Sequence, residues 1–302
     1  MLACGDENPT EPAGPDLSEL SLFPDRIVAL VGDHVELQVT ALDLDGVELP
    51  DFVPEYTSSN AAVVRIDPGS VISAAGAGSA TVRASAGGQM AEAIVYVGNA
   101  SYDLQGVGPP HVLPANYIDL SKIGQISRFR SAIGHDYSFA HETCRSMKHY
   151  YQPKLTLDWT TVDIYAPASG TIQGLRVDGL GYQIRMAPRD MPWLSIHIFH
   201  VALDPGIVRN MWVEAGDHLG THASGFTMSD IAMSLGSIEQ GTLVSYFDTM
   251  TDEVFAEYQA RGVPSREAAI ITRAERDADP VPCDGQTQFT EHGTIENWLY
   301  LN

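Results

Sequence analysis

The chain has 302 residues, 44% hydrophobic and 19% charged, more than one domain usually holds and enough apolar material for two cores. Its 17 Lys and Arg stand against 39 Asp and Glu, a formal charge of −22, and such a field repels phosphate backbones, so nucleic acid is not an expected partner. No apolar run approaches the ~20 residues that span a bilayer, so membrane contact is expected only through a lipid anchor.

Met1-Leu2-Ala3-Cys4-Gly5 resembles the end of a bacterial lipoprotein signal, with Cys4 as the lipidated residue, although the charged and apolar parts of such a signal do not precede it. Residues 1–16, rich in Pro, Gly and acids, read as a tether. With Cys4 lipidated, Cys144 and Cys283 remain as a pair, and an exported chain favours a disulfide between them over two separate buried thiols. Closing so long a loop would stabilise by about 4 kcal/mol. The expected location is the cell surface or periplasm.

Residues 17–99 break into short segments divided by turns. Arg26 to Leu30 precedes a Gly32-Asp33 turn, and His34 to Leu42 alternates polar and apolar as one half-buried strand. Asp45-Gly46 marks a hairpin. Further strands are expected over 61–66, 78–84 and 91–97, a spacing that argues for a sandwich. Val31-Gly32-Asp33, Asp43-Leu44-Asp45-Gly46, Tyr56 to Asn60 and Gly76 to Val82 together resemble a bacterial immunoglobulin-like domain of group 2. That resemblance implies a spacer or adhesive module. Residues 100–115, with Gly106, Gly108, Pro109, Pro110 and Pro114, read as a linker.

Residues 116–236 open with Gly134-His135-Asp136 and a polar run through Glu142, Cys144, Arg145, Lys148 and His149. Strand-like segments follow at 162–172, 181–186, 194–201, 212–220 and 230–235. Ala166-Pro167-Ala168-Ser169-Gly170-Thr171-Ile172, Gly181-Tyr182-Gln183-Ile184, Phe199-His200-Val201 and Val213-Glu214-Ala215-Gly216-Asp217-His218-Leu219-Gly220 together resemble the core of LytM/lysostaphin-type zinc peptidases. Residues 237–302 fall outside that resemblance and read as a helical extension packed on it, with helices near 251–258 and 265–275 and a closing strand at Trp298-Leu299-Tyr300-Leu301. The expected fold is mainly β: an N-terminal Ig-like β-sandwich, then an antiparallel β domain of LytM/lysostaphin (duplicated hybrid motif) type with its helical extension.

In the resembled family one zinc is held by a His, an Asp four residues later and the second His of a His-x-His strand. The first His of that strand and a further His assist the zinc-bound water. Asp136 matches the Asp, but Ala132 stands four residues earlier; His200 matches an assisting His; the His-x-His strand falls near Met228 to Met233, where Ser229, Asp230 and Ile231 stand. A family-type zinc site is therefore not expected, and the cofactor expectation is none or zinc in a rearranged site built from His135, Asp136, His200 and Asp230. His141, His149, His197 and His222 are further His candidates, each weighed against plain structural burial. His197 and His200, three apart on one strand, are expected on opposite faces. Glu142, Cys144, Arg145, Lys148 and His149 form a patch for a carboxylate or sugar, with Glu142, Arg145 and His149 as the binding candidates, or a solvated loop anchored by the disulfide. The leading expectation is a non-catalytic surface lipoprotein binding a cell-wall or extracellular glycan or peptide. A metallohydrolase with substituted ligands and a purely structural surface protein are the alternatives.

Overall fold

The computed structural model describes residues 16–99, 109–139, 142–236, 242–284 and 287–302; Cys4 and His141 lie outside these. The chain is mainly β, and nearly all of its strand pairs are antiparallel.

The N-terminal strands are β1 (Leu17–Phe23), β2 (Arg26–Leu30), β3 (His34–Glu36), β4 (Gln38–Asp43), β5 (Glu55–Ser58), β6 (Val64–Asp67), β7 (Val71–Ala74), β8 (Gly78–Ala86) and β9 (Gln89–Gly98). They form sheets ordered β2-β9-β8-β5, β3-β7-β6 and β1-β4 around one core. Period-two alternation builds that core: Ala80, Val82 and Ala84 of β8 point inward, as do Ala93, Val95 and Val97 of β9. Small residues face larger ones across the hairpin, Ala80 opposite Val95 and Val82 opposite Ala93, so the layer fills without overlap. The single strand expected over His34 to Leu42 is split. Leu37, 3% exposed, donates its N–H to the Ser70 carbonyl, and there the chain passes from the sheet of β3 to that of β4. Likewise, residues 61–63 form a turn ahead of β6.

The second unit comprises β10 (Ile123–Ser127), β11 (His149–Pro153), β12 (Asp163–Tyr165), β13 (Gly170–Val177), β14 (Tyr182–Pro188), β15 (Leu194–Leu203), β16 (Trp212–Val213), β17 (His218–His222), β18 (Ser229–Leu235), β19 (Thr242–Val244) and β20 (Trp298–Tyr300). The sheet runs β16-β13-β14-β15-β18-β11-β10-β20, with β17 joining β12 to β15 and β19 joining β18. Every residue of the central strand β18 is buried. The C-terminal stretch belongs to this core: Val254, Phe255 and Tyr258 of helix α1 (Asp252–Ala260) pack into it, and the Tyr258 and Tyr151 hydroxyls lie 3.1 Å apart. Leu113, within the stretch read as linker, is also fully buried there. The helix expected over 265–275 is a short turn at Glu267–Ala269 followed by α2 (Arg273–Ala278). Its start is set by a capping box, in which Thr272 and Glu275 satisfy each other's backbone N–H groups. Cys144 and Cys283 form the expected disulfide.

The two units touch. The Val28 N–H donates to Thr171 Oγ1 at 3.0 Å, Arg26 pairs with Glu214 at 2.6 Å and lies over the Trp212 ring, and Tyr96 packs on the same ring.

Gly220 has φ +144°, and a Cβ there would fall 2.1 Å from the Ala202 carbonyl oxygen. Gly220→Ala is therefore expected to cost about 3 kcal/mol or more. Urea unfolding should show the loss, and a wild-type midpoint would contradict this backbone path.

Candidate functional site

Asp230 is the second residue of β18, has no exposed surface and lies opposite Tyr150 of β11. Lys148 lies two residues from Tyr150, so alternation places it on the same face as Asp230 and within diagonal reach. Its Nζ is 2.5 Å from Asp230 Oδ2, and its side chain is 2% exposed. The rings of Phe199, Tyr150 and Tyr137 surround Nζ at 4.4, 4.8 and 4.9 Å. Burying two opposite charges costs several kcal/mol per ion, against which stand their mutual attraction and the ring faces. Burial, and secondarily the Asp230 charge, pushes the Tyr137 hydroxyl up to about 12, so it stays protonated.

His135 completes the cluster. Gly134, at φ +73° and packed so closely on the Tyr150 ring that a Cβ would collide, turns the chain into position. The His135 Nδ1–H donates to the Asp136 carbonyl at 2.8 Å, which leaves the Nε2 lone pair 3.3 Å from Lys148 Nζ. Burial first, then the Lys148 charge, lowers this imidazole's pKa, so it is neutral. His200 approaches from β15, its Nε2 4.0 Å from Asp230 Oδ1 and its Nδ1 3.2 Å from Asp178 Oδ2.

The expectation that His197 and His200 face opposite sides is corrected. The pairing of β14 with β15 slips between Ile198 and Val201, and His200 takes φ +59°. That bulge turns His200 to the face already carrying His197 and Phe199.

The four expected metal ligands do not converge. The Asp136 carboxylate turns away, accepting the Ser138 hydroxyl at 2.6 Å and the Arg145 N–H at 3.1 Å. Among the described residues the one group of three ligand-type side chains in close array is Asp136, Cys144 and Cys283, and both sulfurs are spent in the disulfide. Lys148 stands between His135 and Asp230 instead.

The patch expected from Glu142, Arg145 and His149 is also corrected. Arg130 grips Glu142 with two hydrogen bonds at 2.7 and 3.0 Å, while Arg145 spans Glu142 at 2.9 Å and Asp277 at 2.8 Å. Burial alone would raise the Glu142 pKa, but these guanidiniums outweigh it and hold the carboxyl below its usual range. With their polar atoms so engaged, these side chains brace a loop. His149 is a core residue, bonded to the Ser127 carbonyl and the Ser245 hydroxyl at 2.8 Å each, beside Phe129 and Phe247. His222 is fully buried too, its Nε2–H donating to the Thr227 carbonyl at 2.7 Å.

A cavity of about 400 Å³ opens beside the ion pair, lined by Tyr137, Gly174, Leu175, Arg176, Gln183, Arg185, His197 and Phe199. It carries two guanidiniums and no carboxylate, in a chain of net charge −22. Burial pushes the His197 imidazole down to about 4, so it too is neutral at pH 7. Tyr137, Asp178, Arg176 and Arg185 were not picked out as site residues by the sequence patterns, and Lys148 stood only within the expected polar patch. The usable signal was alternation: Lys148 shares a face with Tyr150, and His149 the other face with Met147 and Tyr151.

No protein-family model and no curated relative matches the chain. Among solved structures it is similar to lysostaphin, at 14% identity over 38% of this chain and 49% of that one, with a TM-score of 0.26. It is similar to the SpoIIQ-SpoIIIAH pore-forming complex at 14% identity over 50% of this chain and 98% of that one, TM-score 0.32. A third likeness is to domains 5-6 of the S-layer protein SbsC, at 12% identity over 76% and 97%, TM-score 0.25. The chain spans about half the length of lysostaphin. Likenesses this loose say nothing of activity.

His149 and His197 both titrate near 4 when folded because burial opposes their charged forms. The unfolded chain takes up these protons from about pH 6.5 downward, so native stability is full above that value and falls as pH drops toward 4. Each site contributes roughly 3 kcal/mol to the loss. Urea titrations from pH 7.5 to 4 should show the decline, with a shallower slope in His149→Gln; a flat profile would mean these imidazoles are solvated.

Proposed function

We propose that this chain is an exported surface protein, anchored by lipid at Cys4, in which an immunoglobulin-like spacer displays a peptidase-like β domain that binds ligand without metal catalysis. The observation that carries this reading is the contact of the Lys148 ammonium with the Asp230 carboxylate, 2.5 Å apart in a closed site. Asp230 lies on the strand where the motif resemblance places a zinc-binding His, and His200 lies where it places an assisting one. An ammonium already neutralises that carboxylate. A dication brought beside it would meet like charge at short range in a medium of low dielectric.

The adjoining cavity supplies the binding surface. Arg176 and Arg185, beside neutral His197 and the Tyr137 and Phe199 rings, suit a ligand with a carboxylate and an apolar or sugar face. A cell-wall or extracellular glycan-linked peptide has that chemistry. The Cys144–Cys283 disulfide agrees with an oxidising compartment, and no helix among the described residues is long and apolar enough to cross a membrane.

Protein dialysed against zinc and then buffer should retain no stoichiometric metal by mass spectrometry of the elements. One zinc per chain, with chelator-sensitive cleavage of cell-wall peptides, would replace this reading by a metallohydrolase. Calorimetric titration with muropeptides should show binding that weakens about tenfold or more when Arg176 and Arg185 are both changed to Ala; unchanged affinity would move the ligand elsewhere.

A further inference from the structure

We propose that Lys148 and Asp230 condense to form an intramolecular amide, a covalent cross-link between the residue that leads into β11 and strand β18. The geometry of the pair carries this. Nζ and Oδ2 are 2.5 Å apart, yet neither Asp230 oxygen has a hydrogen-bond donor directed at it. The nitrogen therefore lies against the carboxyl group outside the directions a hydrogen bond requires. The part-buried Arg130–Glu142 pair in the same unit behaves differently, with two well-directed bonds. A fully buried carboxylate without such a donor is costly as an ion.

The surroundings meet the chemical needs of condensation. Asp230 on β18 and Lys148 at the start of the neighbouring β11 are held at contact distance, which replaces a bimolecular encounter and is worth an effective concentration on the order of 10⁵ M or more when orientation is right. Tyr137, Tyr150 and Phe199 wall the nitrogen off from water, whose presence would favour the separated amine and acid. His135 Nε2, with its lone pair turned toward Nζ, is the nearby base. On the far side His200 stands by Oδ1.

The step balances without any added reagent. A small reorientation of the ammonium turns one N–H toward Oδ2, and that proton passes to the carboxylate, leaving an amine and a carboxylic acid. The amine lone pair adds to Cγ and forms the Nζ–Cγ bond. His135 takes the second proton from the nitrogen and delivers it to the departing oxygen; the Cγ–O bond breaks and one water leaves. No atom changes oxidation state, and two buried charges become one neutral amide.

The test is the intact mass of the purified full chain after complete disulfide reduction. It should lie below the sequence mass by one water, and proteolysis should release a branched peptide joining the Lys148 and Asp230 segments. Lys148→Arg keeps a positive charge but offers no amine, and its reduced mass should equal that of its sequence. A wild-type chain at full sequence mass after prolonged incubation at neutral pH overturns the cross-link, as does a missing water that maps to a linear peptide with dehydrated Asp-Gly. Zinc content read on the same sample keeps the two readings apart: full mass without zinc removes the amide alone, whereas bound zinc removes the metal-free reading.

Discussion

The second unit is organised by the need to bury one ammonium and one carboxylate in the middle of a sheet. Lys148 and Asp230 leave water together, and their neighbours answer that cost. Three aromatic faces surround the nitrogen, a neutral imidazole turns its lone pair toward it, and a bulged strand brings His200 to the other side. Because β18 is buried along its whole length, no side chain on it can turn to solvent. Asp230 must be satisfied from within.

Much of the architecture was legible because it rests on period-two alternation and on turn residues. The β8–β9 hairpin, the Asp45-Gly46 turn and the closing strand at Trp298 follow from such patterns. The Cys144–Cys283 pairing came from compartment and elimination. What alternation cannot show is where a strand changes sheets or gains a residue. Leu37 redirects the chain between two sheets, and the bulge before Val201 reverses the face His200 would otherwise take.

The candidate site was legible only in part, for a related reason. Asp136 carried the motif match, yet its carboxylate is occupied by Ser138 and the Arg145 backbone. Lys148, in a run of polar residues, looked like surface. Its burial depends on β11 being flanked by β10 and β18, a pairing between segments distant in sequence. His149, one residue on, fills the opposite face of the same strand as a core side chain. Polar composition marks a surface only where one side of a strand is free, and β11 has neither side free.

The bond between Cys144 and Cys283 has a consequence for how the molecule withstands cleavage of its chain. It staples the loop behind the Lys148 strand to the tail that supplies α2 and β20, with all of β12 to β19 in between. A protease that clips one exposed turn in that interval makes two pieces of one chain, but the pieces stay joined and the central sheet keeps its edges. For a cut inside that interval, the tail comes free only when a reductant acts as well, so the domain outlasts a single cut there.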